Sequence, residues 1–543
     1  MTAPLARRTR FERFLELFTM VRAGEGRSVA WFFFYAFLIL VAYYILKTLR
    51  EPLLLVDASA EMKSYAYATI AALLIVIIPV YGWVFRRTRR SQLTRLVTAF
   101  FVMNLGVLYL LGIAGFDVGF SYFVWVGIVG LMLPAQFWGY AADTYNVKSG
   151  QRLFPVIMAG ATLGGLLGPL IAGALYERMG PWNLLLVAGL LLAATLPLVS
   201  ICRSVVPGGS RAVAKPKKHE PHFMGGLALV VRDHYLLLLA VLILLLNWVN
   251  TTGEYILAEF VVNYANQRIE LDPGLSKGEL IATFYSRFYF YVNAFTLALQ
   301  VLLVARIFSW VGIRGALLVL PVLAMIGYGM IAFVPVFSLI QVAKIMENSA
   351  DYSIMNTARH ALYLPLPDDH KYEGKTAIET FFWRLGDLVQ AGVVFVGLRY
   401  LGFGIEDFAL LNLALGAIWL MVAIRLGRLY RDEADLHVGE RPSIIARELD
   451  EQSLPPGTVF EFSLPEDAFV DPVPGEVMKI SAKHASGTPL PRWLSFDHET
   501  LTFRGKVPDE KHGTTEIRIK ARDFDGENAY TPLILRHGPA KHA

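Results

Sequence analysis

The sequence predicts an all-α membrane protein of two six-helix bundles, about twelve transmembrane helices in all, followed by a small C-terminal β-sandwich. Three observations predict it. Of 543 residues, 55% are apolar and 17% charged, against roughly 45–50% and about 25% in soluble globular domains. The apolar residues gather into runs of membrane-spanning length, roughly 20 residues each, in two groups of six. After residue 431 the pattern gives way to short alternating segments.

Arg7, Arg8 and Arg10 open the chain, but no short apolar run with a small-residue cleavage site follows. A cleaved signal peptide is therefore not expected. Phe11, Phe14, Leu15, Phe18 and Val21 recur at helical spacing, which predicts an amphipathic segment on the cytoplasmic surface within residues 1–27. Spans are expected at 28–49, 65–85, 97–114, 120–142, 153–175 and 182–202, forming an N-terminal bundle over 28–202. A basic linker, 203–234, carries Arg211, Lys215, Lys217 and Lys218. The second bundle, 235–431, is expected to hold spans at 235–258, 283–307, 314–335, 336–358, 376–398 and 408–427. Two sets of six spans around one basic loop is the organisation of the major facilitator superfamily, in which a substrate site lies near the midplane between repeats.

Arg and Lys gather on one side of these spans. Arg86, Arg87, Arg89, Arg90, Arg95, Lys148, Arg152, Arg203, Arg306, Arg314, Arg425, Arg428 and Arg431 fall in loops that share a side with the linker. The opposite loops hold Lys63, Arg178, Arg268, Lys277 and Arg399. Positive charge marks the cytoplasmic side, so a multi-pass protein of the inner (cytoplasmic) membrane is expected, with both termini cytoplasmic. The net charge of +5 follows from this topology, and no nucleic-acid partner is expected. The single cysteine, Cys202, excludes an intrachain disulfide.

Beyond the last span, residues 432–456 are expected to form a charged helical linker and 457–543 a β-sandwich. Strands are expected at 458–464, 476–482, 501–505, 515–521 and 530–536, with turns at Pro474-Gly475 and Asp525-Gly526. Leu490-Pro491-Arg492-Trp493-Leu494-Ser495-Phe496, Phe503-Arg504-Gly505 and Ala521-Arg522-Asp523 resemble Ig-like or cadherin-like modules, whose usual role implies a protein partner. Asp523, Asp525 and Glu527 read as a turn rather than a calcium site. No metal or cofactor is expected.

Ionisable residues inside spans are costly and normally face a bundle interior or a wet cavity. Lys47, Arg50 and Glu51 lie late in the first span. Two cations there either hold an anionic substrate or snorkel to the membrane surface. Asp143 follows Phe137-Trp138-Gly139-Tyr140-Ala141-Ala142; it either joins a gate with a basic partner or caps the next segment. Gly160, Gly164, Gly168 and Ala172 recur every four residues, a small-residue face that lets another helix approach closely. Asn247, Asn250, Thr251 and Glu254 share a face of the seventh span, which predicts a cavity wall; Arg287 and Asn293 of the eighth are candidate partners. The densest charge runs from Lys344 to Asp387, with Glu347, Asn348, Asp351, Asn356, Arg359, Lys375, Glu379 and Arg384 between. Gly374-Lys375-Thr376 is not a phosphate loop, because Asp369 stands where its first glycine is needed. Lys375 at a helix N-terminus still favours anions.

Over about residues 28–428 the chain resembles the nucleotide (ATP/ADP) antiporters of intracellular bacteria and plastids. The resemblance rests on Tyr44-Ile45-Leu46-Lys47 with Arg50-Glu51, and on Phe137-Trp138-Gly139-Tyr140-Ala141 with Arg152-Leu153-Phe154. Its most specific block is Ala361-Leu362-Tyr363-Leu364-Pro365-Leu366, then Gly374-Lys375-Thr376-Ala377-Ile378-Glu379 and Arg384-Leu385-Gly386. It implies alternating-access transport of a nucleotide or another phosphate-bearing anion. The family's four important charged positions fall on Arg50, Asp143, Glu254 and Lys375. Arg replaces the usual Lys at 50, and Asp the usual Glu at 143. Ala258 and Glu259 stand where a base is usual, as does Asp387. The substrate-binding set expected is therefore Lys47, Arg50, Asp143, Glu254, Arg359, Lys375 and Arg384. The alternative is a non-transporting membrane scaffold or sensor whose C-terminal Ig-like domain binds a partner. An enzyme is not expected, since no nucleophile–base pair stands out.

Overall fold

The computed structural model describes residues 9–15, 21, 24–88, 90–145, 147–207, 223–334, 336–364, 366, 370–438, 445–465, 467–470, 478–486, 488–498, 500–510, 513–522 and 528–537. Two compact units divide the chain, Met1–Glu433 and Ala434–Ala543.

The first unit is helical. Nine of its described helices are long and apolar enough to cross a membrane, and the geometry resolves them into eleven spans. Gly180 (φ +71°) breaks Val147–Ser204, and Gly312 (φ +65°) breaks Lys277–Phe333. Both sit in the left-handed region that glycine tolerates, so each long helix is two antiparallel spans meeting at a tight corner. The twelfth is the charged segment 337–361, whose polar residues make it the least apolar of the spans. The spans are α1 (Glu25–Leu55), α2 (Glu61–Arg87), α3 (Arg90–Ile113), α4 (Gly119–Thr144), α5 (147–179), α6 (181–204), α7 (His234–Leu271), α8 (277–311), α9 (313–333), α10 (337–361), α11 (370–401) and α12 (Ile405–Val438).

Two apolar cores organise the unit, one in each half: Phe32, Ile45, Phe123 and Leu185 in the first, Leu239, Ile256, Phe288 and Trp419 in the second. The small-residue stripe of α5 packs on α1 as its spacing predicts. An added Cβ at Gly164 would lie 2.6 Å from the Phe37 carbonyl oxygen, and one at Gly168 2.6 Å from Tyr44 Cβ. At the chain start, a short helix, Arg10–Leu15, precedes α1, and Leu15 and Val21 join the first core. Phe18 and most of the basic linker, 208–222, lie outside the described residues. Past it, the helix Phe223–Arg232 leads into α7.

The second unit has a four-stranded sheet, β2-β9-β8-β5, and a three-stranded sheet, β3-β7-β6. The strands are β2 (Gln452–Ser453), β3 (Val459–Ser463), β5 (Lys479–His484), β6 (Leu494–Asp497), β7 (Thr502–Lys506), β8 (Gly513–Arg522) and β9 (Asn528–His537). β1 (Ile445–Ala446) pairs separately with β4 (Phe469–Val470). Phe503, Ile517, Ile519, Leu533 and Leu535 form the centre of its core. The helical linker expected over 432–456 is corrected: the helix ends at Val438, and Ile445–Ala446 and Gln452–Ser453 are strands. Cross-strand partners decide those residues, not their charge-rich local sequence, since strand preference is set mostly by what a strand packs on. The turns at 474–475 and 525–526, and the acids Asp523, Asp525 and Glu527, lie outside the described residues.

Candidate functional site

The two halves of the helical unit meet around a cavity of about 450 Å³ lined by α1, α2, α4, α7, α8, α10 and α11. The end of the bundle where α1 finishes and α2 begins is called here the gate end; the other carries the 205–233 connection. Hydrogen bonds and ion pairs joining the halves gather toward the gate end. Lys277 Nζ donates to the Val56 carbonyl (2.9 Å), Ser286 Oγ to that of Pro169 (2.8 Å) and Gln390 Nε2 to Ser64 Oγ (3.0 Å). Deeper, Asn293 Nδ2 donates to the Gly165 carbonyl (2.8 Å) while its Oδ1 accepts from Tyr44 (2.9 Å).

At the head of the cavity sits a buried charge cluster. Lys63, wholly buried, places Nζ 3.2 Å from Glu51 Oε2 and 3.0 Å from Glu254 Oε2. It therefore ties α1 and α2 of one half to α7 of the other. Arg50 Nη2 lies 2.6 Å from Glu51 Oε1, and the Tyr289 hydroxyl donates to the same oxygen at 2.9 Å. The Arg50 guanidinium lies 4.1 Å from the centre of the Phe123 ring, and Asn348 Nδ2 donates to Glu254 Oε1 at 3.1 Å. Charges removed from water persist only when paired and hydrogen-bonded, and this cluster meets that condition with residues from both halves.

From there the cavity descends along α7, α10 and α11 toward the connection end. Asn247, Asn250, Thr251 and Glu254 all line it, as their helical spacing predicts. Asn247 and Thr251 donate to Asp387 Oδ1 at 2.8 and 3.2 Å, and Arg384 Nη1 pairs with its other oxygen at 3.0 Å. Arg359 pairs with Glu379 (3.5 Å), donates to Asn356 (2.9 Å) and faces the Trp383 ring. Lys344, off the lining, pairs with Glu347 at 3.2 Å. Two lining charges lack an ion-pair partner among the described residues. Lys47 rests its ammonium over the rings of Tyr289 (4.4 Å) and Tyr44 (5.5 Å). Asp351 sits where α10 widens into a π turn, Asp351–Met355, a feature frequent at functional sites.

Of the expected binding residues, Lys47, Arg50, Glu254, Arg359 and Arg384 line this one cavity. Asp143 does not: it is exposed at the end of α4, twelve residues or about 18 Å along the axis from Leu131, which does line it. Lys375 does not either. It lies in the second turn of α11 over the Tyr363 ring (5.1 Å), where Gly374 packs on Leu236 and Glu373 and Ala377 back onto the 223–232 helix. Arg287 lies in a separate cavity with Glu177 and Glu279 rather than beside Glu254. Lys63, read from sequence as an outer-loop charge, is corrected to the centre of the inter-half cluster. The spacing Lys63, Tyr67, Ile70 on one face of α2 is the signal that would have found it. The aromatic walls, Tyr43, Tyr67, Tyr289, Tyr352 and Trp383, were not legible at all.

A twelve-span, two-half bundle around a central polar cavity defines a multi-pass membrane transporter, and the solved structures it resembles have that fold. The chain superposes on a bacterial homolog of the human lysosomal transporter Spinster, inward-facing and unoccupied. The TM-score is 0.52 at 14% identity, covering 76% of this chain and 99% of that one. For the nucleoside transporter NupG the TM-score is 0.51 at 11% identity, covering 75% and 99%. Residues 279–430 match the family model described as TLC ATP/ADP transporter, and residues 442–536 the model described as Putative Ig domain. ADP,ATP carrier protein 2 of Chlamydia trachomatis is 24% identical, with 77% of this chain and 91% of that protein aligned. ADP,ATP carrier protein 1 of Chlamydia pneumoniae is 22% identical over 56% of this chain and 66% of its own length. The sequence resemblance to nucleotide carriers and to Ig-like modules is borne out, and the relatives are transporters rather than enzymes.

Proposed function

We propose that this protein carries nucleotides, by ATP/ADP-type exchange, or a closely similar phosphate-bearing anion, by alternating access across the inner (cytoplasmic) membrane. Both termini lie in the cytoplasm in this reading, because the Arg-rich loops share the connection end. The observation that carries it is the lining of the central cavity. It joins Lys47, which has no carboxylate partner among the described residues, to Arg50, Arg359 and Arg384, beside the rings of Tyr43, Tyr67, Tyr352 and Trp383. Cations hold phosphate oxygens, and flat rings such as Trp383 and Tyr352 stack on a base. Asp143 and Lys375 lie outside the lining and are not proposed as contacts in this state.

The cycle follows from the pairing. With the gate end closed by Lys63, Glu51 and Glu254, substrate enters from the connection end. A phosphate reaching Lys47 and Arg50 competes with Glu51 for the Arg50 guanidinium. That competition weakens the hold of Glu51 on the inter-half cluster and lets the gate part. The scaffold alternative is not favoured: the relatives matched across the membrane region are carriers, and an anchor needs no buried charged chamber. Uptake into proteoliposomes of the purified chain, compared among ATP, ADP, other nucleotides and simple organic phosphates, tests the reading. Saturable ADP or ATP uptake, accelerated by nucleotide inside, is expected. No uptake of any of these anions would overturn it.

A further inference from the structure

The C-terminal unit carries a basic face that neither transport nor folding explains. On its four-stranded sheet, β5 and β8 turn Lys479, Lys483, Arg518 and Arg522 outward, exposed, with Lys520 half-exposed between them. The register sets Lys479 opposite Arg522 and Lys483 opposite Arg518, and like charges directly opposite destabilise a sheet. Glu516 is the one described carboxylate of these two strands. Elsewhere the same unit pairs its arginines, Arg504 with Glu461 at 2.8 Å and Arg536 with Glu451 at 2.7 Å. None of the five has an ion-pair partner among the described residues; Lys520 only faces the Tyr530 ring at 5.9 Å. Edge lysines commonly guard a sheet against edge pairing. That accounts for Lys479 and Lys483 on the edge strand β5, but not for three cations on β8, which is paired on both sides. Tyr530 and Ile534 extend the face onto β9, at 52% and 39% exposure.

We propose that this face docks on an anionic lipid surface, the headgroups of the membrane that the chain itself spans. Among the described residues, five cations against one carboxylate match a negative bilayer surface, and a tyrosine and an isoleucine beside them suit the headgroup boundary. The tether favours that partner over a soluble one: only residues 439–444 separate Val438, the end of α12, from β1, so the bilayer is present at high effective concentration. Docking of this face is independent of what the membrane unit transports.

The test uses the full chain in vesicles of phosphatidylcholine, alone or with an equal part of phosphatidylglycerol, each doped with a headgroup quencher. Cys202 is buried, so a fluorophore goes on Ser481→Cys, on the basic face, or on Ser495→Cys, on the other sheet. The Ser481 label should be quenched in the anionic vesicles only, and released by high salt; the Ser495 label should not. Arg518→Gln with Arg522→Gln should cut docking about 25-fold, at about fivefold per charge. Salt and lipid composition probe the same contact without any variant that risks misfolding. Equal quenching in both vesicles, no quenching in either, or protection of the face only by an added acidic protein would overturn the proposal.

Discussion

Replacing Lys63 by Met probes the junction between the halves. The change keeps a long apolar stem but removes the ammonium that lies within 3.2 Å of Glu51 and 3.0 Å of Glu254. Breaking a buried ion pair by deleting one partner costs ~3–5 kcal/mol. The lower end applies here, because Glu51 keeps Arg50 and Tyr289 and Glu254 keeps Asn348. The penalty falls mainly on the gate-closed state. With the gate open, Lys63 meets water, and its loss costs little. A shift of ~3 kcal/mol changes the ratio of the two states by about two orders of magnitude. Spin labels at Asp57→Cys and Gly274→Cys, on the exposed gate-end loops of the two halves, read that ratio as a distance distribution in nanodiscs. Lys63→Met should move the population to longer distances and impair uptake, while Lys63→Arg retains part of both. An unchanged distribution together with wild-type uptake would refute the latch.

Lys47→Gln should raise the KM for an anionic substrate about tenfold, with expression intact, since a hydrogen bond to a charged group contributes ~1.5–3 kcal/mol; steady-state uptake at varied substrate checks it. Asp351→Asn removes a lining carboxylate that has no ion-pair partner among the described residues. It should lower that KM by relieving repulsion of the anion, and a raised KM in the same assay would count against the placement of substrate beside α10. Gly164→Val puts side-chain atoms where the Phe37 carbonyl oxygen already sits 2.6 Å from an ideal Cβ. Overpacking of this kind costs ~1–3 kcal/mol, so the detergent-solubilised protein should melt earlier, whereas Gly329→Ala, with open space around it, should not.

The spans were legible because hydrocarbon imposes a length and a composition that few other environments impose. The breaks at Gly180 and Gly312 fall in the gaps expected between 153–175 and 182–202 and between 283–307 and 314–335; what spacing alone does not show is that a single glycine makes each corner. The polar stripe of α7 was legible because helical spacing alone puts Asn247, Asn250, Thr251 and Glu254 on one face. Lys63 was misread because a lysine just past a turn looks like a loop charge. Its partners Glu51 and Glu254 are 12 and 191 residues away in the chain, and only the meeting of two halves brings them together. Lys375 lies outside the cavity lining, in a local motif whose Gly374 packs on Leu236 of α7 and whose Glu373 and Ala377 pack on the 223–232 helix, contacts that the motif alone does not reveal. In the second unit, β1, β2 and β4 are two residues each, too short for any alternation to show.

If the protein works as proposed, a nucleotide occupies the cavity between the halves, and thiol protection reports its presence there. Tyr352 lines the cavity and is 42% exposed, so Tyr352→Cys offers a thiol in the wall while Cys202 stays buried. In proteoliposomes active in ADP counterflow, ADP should slow modification by a polar thiol reagent, with half-protection near the transport KM. Modification at the same rate with and without saturating ADP, while counterflow continues, would place the substrate elsewhere and rule out this cavity as its site.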